Sequence, residues 1–173
     1  MRPFVLGLTG SIGMGKSTTA AIFRDAGIPV WDADAAVHRL YAKGGAAVPQ
    51  IKEICPKAVI DGSVHRDQLR QWIAEDANAI QKLNAVVHPL VAVDRAEFIK
   101  AARSQGRDLV VVDVPLLFEN NGDAHVDATL VVSIDAQTQR NRVLEREGMT
   151  EAHFQRILSS QMPDAEKRQR ADY

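Results

Sequence analysis

The stretch Gly10-Ser-Ile-Gly-Met-Gly-Lys-Ser17 constrains this chain more than any other, because it fills every fixed position of the pattern GxxxxGK[ST]. Before it, Phe4-Val-Leu-Gly-Leu-Thr9 is a short apolar run suited to a buried strand, and after it Ser17-Thr-Thr-Ala-Ala-Ile-Phe-Arg24 reads as a helix. Strand, glycine loop and helix, in that order, let successive backbone N–H groups converge on phosphate oxygens. Glycines at 10, 13 and 15 permit positive φ and close approach, and the helix start adds the positive end of its dipole. Gly10, Ser11, Ile12, Gly13, Met14, Gly15, Lys16, Ser17 and Thr18 are therefore the candidate nucleotide-binding residues. Lys16 would reach the β- and γ-phosphates as a mobile point charge, while the Ser17 hydroxyl would ligate Mg²⁺. The bland alternative, a glycine-rich turn with a solvated lysine, needs neither this spacing nor the Lys-Ser pair.

A chain of 173 residues suits one domain with room for a small inserted subdomain. Its 46% hydrophobic and 25% charged residues are those of an ordinary globular protein. A net charge of −1 argues against nucleic acid as the main partner. The single Cys55 cannot form an internal disulfide, which fits a reducing compartment. The apolar run before the glycine loop is too short for a signal h-region, and no later run approaches membrane-spanning length. The expectation is a cytoplasmic protein with neither a membrane nor a nucleic acid as partner. The five histidines show no spacing that would gather metal ligands.

Further along, Gly27 is placed to end the first helix and Ile28-Pro-Val-Trp31 to form a second strand, followed at once by Asp32-Ala-Asp34. In an open parallel sheet ligands bind beyond the carboxyl ends of the strands, so both aspartates are expected on the edge that carries the loop. A rival reading has Asp34 capping a helix from Ala35 to Tyr41, and the two roles can coexist. Residues 43–107 read as helical: a helix started by Pro49, a turn at Asp61-Gly62-Ser63, and helices over Arg66 to Ala74 and Asn78 to Ser104. His88-Pro89 is expected to break or kink the last of these, and Trp72 to lie on a buried helix face.

Leu109-Val-Val-Val-Asp113 has the unbroken β-branched character of a central parallel strand. Asp113 then has two readings, an acid that holds Mg²⁺ directly or through water, and a strand-end aspartate in the turn before Pro115. A further buried strand is expected over Ala128 to Ile134, with Asp135 capping a helix on which Arg142 and Arg146, four apart, share a face. That face is either a solvated one screened by Glu145 and Glu147 or a lid closing over the transferring phosphoryl group. Helices follow over Thr150 to Gln161 and Asp164 to Arg170. The predicted fold class is α/β: a phosphate-loop NTPase fold, three-layer α/β/α, with a central parallel sheet, a helical acceptor-binding insertion and a helical lid. Residues 1–42 and 106–173 would form the nucleotide-binding core, with the lid at about 136–160. Residues 43–105 would form the acceptor-binding subdomain, a placement made by analogy with small kinases.

Several stretches together resemble the dephospho-coenzyme A kinases. They are the loop from Gly7 to Ser17, Asp32-Ala-Asp34 with His38, His88-Pro89, Asp113-Val-Pro-Leu-Leu-Phe-Glu119, and Gln139 with Arg142 and Arg146. Arg156, Gln161 and Lys167 continue the match up to Ala171-Asp-Tyr173. The resemblance implies ATP-dependent phosphorylation of the ribose 3′-hydroxyl of dephospho-coenzyme A, the last step of coenzyme A biosynthesis, with ATP and dephospho-coenzyme A as substrates. By position Asp34 would face the acceptor hydroxyl, with Lys16 and Arg142 as its catalytic companions. Mg²⁺ would be held by Ser17, with Asp32 or Asp113 through water. Members of the family usually continue through another strand and helix after Ala-Asp-Tyr. Two other classes share the core: another phosphate-loop small-molecule kinase, such as one for a nucleoside monophosphate, and a nucleotide-dependent switch.

Overall fold

The computed structural model describes residues 2–173 and has the three-layer α/β architecture, with a parallel sheet in the middle. β1 (Phe4–Thr9) is buried at every residue but its first, as a strand covered on both faces must be. It leads through the glycine loop into α1 (Lys16–Asp25). β2 (Val30–Asp32), β5 (Leu109–Asp113) and β6 (Ala128–Val131) complete the sheet in the order β2-β5-β1-β6, all parallel. The β-branched run of β5 is fully buried from Val110 to Val112, which explains its interior place. Leu6, Leu8, Ala20, Val111 and Ala128 form the core between sheet and helix.

β2 begins later than the apolar run suggests. Ile28 N donates to Phe23 O and Gly27 N to Arg24 O, so Gly27, at φ +76°, closes α1 in a Schellman arrangement that uses up Ile28. β6 also stops short of Ile134, because the chain beyond Val132 turns toward the glycine loop, where Ile134 N meets the Met14 sulfur. α6 (Ala136–Leu144) is capped by Asp135, whose carboxylate accepts from Thr138 N, and α7 (Glu151–Ser159) is capped by Thr150. α8 (Asp164–Arg170) precedes Tyr173, which pairs with β6 through Thr129 O and Val131 N.

The chain divides into two compact units: residues up to Asp32 with Ala101–Tyr173, and Ala33–Lys100. The second unit holds α2 (Ala33–Tyr41), α3 (Ala47–Ile54), a hairpin of β3 (Val59–Ile60) and β4 (Ser63–Val64), α4 (Arg66–Glu75) and most of α5 (Ala79–Ser104). The division falls ten residues before the expected limit at 42, since Leu40 and Tyr41 of α2 pack into the helical core with Ile51, Leu69, Leu83 and Val87. Trp72 packs against the same cluster. Asp61 and Gly62, both at positive φ, make the tight turn of the hairpin. α5 is not broken at His88-Pro89. His88, Pro89 and Ala85 are exposed, so the carbonyl that proline leaves unpaired can be hydrated. α2 begins at Ala33, which places Asp34 inside its first turn rather than at a cap, where its charge suits the helix dipole.

Candidate functional site

β1 leaves the sheet at Thr9, fully buried, whose hydroxyl donates to Pro115 O at 3.1 Å. The chain then turns back on itself, with Met14 N donating to Ser11 O at 3.2 Å. Gly13 at φ +78° and Gly15 at φ +100° take backbone conformations that other residues resist, and a Cβ on Gly13 would also run into Val143 Cγ2. α1 starts at Lys16, so the N–H groups of Lys16, Ser17 and Thr18 have no acceptor within the helix. Those free donors and the helix dipole make a seat for an anion. Ser17 and Thr18 are exposed there, whereas Ser11 and Met14 are buried and build the loop from beneath.

Ile12 has a different task. Its N–H donates to Gln161 Oε1 at 3.1 Å, and its carbonyl accepts from Gln139 Nε2 at 2.8 Å.

Lys16 Nζ donates to Asp113 Oδ1 at 2.5 Å, with only 17% of the lysine side chain and 3% of the aspartate side chain exposed. Asp113 closes β5 in register with Leu8 of β1 and with Asp32 of β2, so two carboxylates stand on adjacent strands at the edge where the loop emerges. Among the described residues no three His, Cys, Asp or Glu side chains gather to hold an ion by themselves. The hydroxyl of Ser17 and the carboxylates of Asp32 and Asp113 are hard oxygen donors. They suit Mg²⁺, which keeps several positions for water and phosphate.

Arg142 is exposed on α6, and its guanidinium lies 3.8 Å from where a Cβ on Gly15 would stand. Arg146 lies beyond Leu144, the last residue of α6, so the expected shared helix face is not formed. Arg140 pairs with Glu151 at 2.8 Å and ties α6 to α7. Asp34 is exposed in the first turn of α2, in the other unit, two residues along the chain from Asp32.

A buried ion pair underlies the loop. Lys167, fully buried on α8, donates to Glu119 Oε1 at 2.9 Å and to Pro115 O at 3.3 Å, and Met162 N donates to the same Glu119 oxygen at 2.7 Å. Burial alone would raise the Glu119 carboxyl, but the bonds from Lys167 and Met162 outweigh it and hold the group below the usual glutamate range. Pro115 O thus accepts from both Thr9 and Lys167, which braces the strand end from which the loop springs.

Gln139, Gln161, Glu119 and Lys167 belong to no phosphate-binding or metal motif, although all four lie in the stretches that resemble the family. Part of the signal was present: Gln139 and Val143 are four apart, so a helical wheel puts them on one face, which here is the face turned to Ile12 and Gly13. The Gln161 contact joins residues 149 positions apart and has no such local signal.

Comparison with known proteins follows the same lines. The sequence profile of the dephospho-CoA kinase family matches residues 4–173. A dephospho-CoA kinase of Cereibacter sphaeroides is 58% identical over 173 residues, covering 100% of this chain and 86% of its own. One from Jannaschia sp. is 57% identical over 98% of this chain and 86% of its own. Among solved structures, TT1252 from Thermus thermophilus superposes with a TM-score of 0.85 at 34% identity, over 99% of this chain and 86% of its own. The dephospho-CoA kinase from Campylobacter jejuni, at 20% identity and a TM-score of 0.71, shares the fold over 98% of this chain and 85% of its own.

Proposed function

This chain belongs to the dephospho-CoA kinase family, and from that premise we propose how its residues divide the work of the reaction. The activity is ATP-dependent phosphorylation of dephospho-coenzyme A, giving coenzyme A and ADP. The observation that carries the residue assignment is the Lys16–Asp113 pair at the mouth of the glycine loop. A lysine held by one buried carboxylate is positioned beside the anion seat and can exchange that partner for phosphate oxygens.

The N–H groups at the start of α1 hold the β- and γ-phosphates, and Lys16 spans them. Ser17, with Asp32 or Asp113 through water, would hold Mg²⁺, which would neutralise phosphate charge. Asp34 accepts a hydrogen bond from the ribose 3′-hydroxyl and aims its oxygen at the γ-phosphorus. As the new oxygen–phosphorus bond forms, the bond to the β–γ bridging oxygen breaks and its electron pair leaves with ADP. The hydroxyl proton passes to Asp34. Charge on the equatorial oxygens of the moving phosphoryl group is met by Lys16 and Arg142, so positioning and electrostatics carry most of the rate. The helical unit Ala33–Lys100 supplies the acceptor surface, and α6 with α7 the lid.

A coupled ADP-release assay with dephospho-coenzyme A, AMP or no acceptor tests the reading. ADP release dependent on dephospho-coenzyme A is expected. Release of equal size with AMP, or without acceptor, would overturn it. For the lid, Arg142→Ala should lower turnover more than it raises the KM for acceptor; if neither changes, Arg142 belongs to a solvated helix face.

A further inference from the structure

Both polar groups of the Ile12 backbone are taken by side chains from a distant part of the chain. The polarity of a peptide leaves no choice of orientation: the N–H must meet the Gln161 carbonyl oxygen, and the C=O must meet the Gln139 amide nitrogen. Gln139 is 95% buried, on the face of α6 whose next turn packs Val143 against Gly13 and carries Arg142 toward Gly15. Gln161 follows α7. The two peptide planes on either side of the Ile12 Cα, Ser11–Ile12 and Ile12–Gly13, are each held at one polar group, and they lead directly into Gly13 to Gly15, the part of the loop with the freest backbone.

We propose that Gln139 and Gln161 are positioning residues, a clamp from α6 and the stretch after α7 that holds the glycine loop in its anion-binding shape and keeps Arg142 beside it. The clamp rests on the kinase reading above for its consequence in turnover. It works through Ile12 and touches no substrate. It also makes α6 a fixed wall of the nucleotide site at Gln139 and Val143, whatever the rest of the lid does.

The test uses Q139L, Q161L, Q139E and Q161E in the full chain, with ADP affinity by calorimetry, kcat, the KM for dephospho-coenzyme A and thermal melts. Each Leu variant leaves a part-buried backbone group of Ile12 unpaired, and nucleotide affinity and kcat should fall about tenfold to a hundredfold with the acceptor KM unchanged. The two Glu variants should differ. Glu at 161 still accepts from Ile12 N–H and rescues most of the loss, whereas Glu at 139 cannot donate to Ile12 C=O and falls as far as Leu. Like behaviour of Q139E and Q161E would overturn the clamp, as would an acceptor KM that worsens in step with kcat and the melting temperature. Should the wild-type chain fail to phosphorylate dephospho-coenzyme A, the kinase reading falls. The clamp is then judged by ADP affinity alone, upheld by the Glu asymmetry and overturned by its absence.

Discussion

The two units of this molecule hold their candidate site residues in different ways. In the unit built on the sheet, the candidate carboxylates sit at the ends of strands: Asp32 ends β2 and Asp113 ends β5, so the hydrogen-bonded register itself sets their spacing. The helical unit Ala33–Lys100 has a sound apolar core around Ile51 and Leu69, yet its candidate catalytic group, Asp34, stands exposed on a helix turn. A strand-end residue is located by backbone bonds on both sides. A helix-surface residue is located only by how its helix packs. The first kind of site leaves a readable motif, while the second leaves only an amphipathic pattern.

The sharpest way to break this comparison is to attack each unit's charged group. Lys16→Ala should cost the most, on the order of a thousandfold in turnover together with lost ATP affinity, because the proposed mechanism gives it both the phosphate contact and the transition-state charge. Unchanged ATP binding by calorimetry would undo the loop assignment. Asp34→Asn should lower turnover by roughly a hundredfold while ATP binding stays nearly intact, the scale of a lost general base. Near-normal turnover would remove Asp34 from the mechanism and leave the helical unit without a catalytic group.

Smaller effects sharpen the contrast in stability. Glu119→Gln should destabilise the sheet unit by about 1.5 kcal/mol at neutral pH, since it loses charge-assisted bonds to Lys167 and Met162 N–H. The Glu119 carboxyl is held below its usual range in the folded chain, so its stabilisation is complete above the ordinary glutamate pKa of about 4.3 and is lost as pH falls below it. Melting curves of wild type and variant should therefore converge in acid; a constant gap from pH 7 to 3 would show that the pair is not the source. Ile51→Val, which trims one methylene in the fully buried core of the helical unit, should cost about 1 kcal/mol by denaturant unfolding and leave ADP affinity unchanged. A matching loss of ADP affinity would show that the nucleotide site draws on the helical core.

Legibility followed the same division. β5 over Leu109–Asp113 and α8 over Asp164–Arg170 agree with their sequence patterns to the residue, and α4 and α5 differ from theirs by a residue at one end. A buried β-branched run or a helix between clear stops is decided locally. Misplaced boundaries have tertiary causes. Ile28 is taken by the end of α1, the chain after Val132 bends to meet Met14, and α6 ends before Arg146. Helix spacing alone puts Arg142 and Arg146 together, whereas the structure has Arg142 beside Gly15 and Arg146 past the end of α6.

By itself the sequence determined that a strand, a glycine loop with Gly13 and Gly15 at positive φ, and a helix led by Lys16 and Ser17 would form an anion seat, because these are local consequences of residue type and spacing. Only the tertiary structure decided what holds that seat in shape. Gln139 and Gln161 on Ile12, Val143 against Gly13, and Lys167 with Glu119 beneath Pro115 come from residues more than a hundred positions away for the loop contacts and from a separate helix for the ion pair. Hydrogen bonds of that kind depend on where α6, α7 and α8 pack, and packing is a property of the whole chain rather than of any stretch within it.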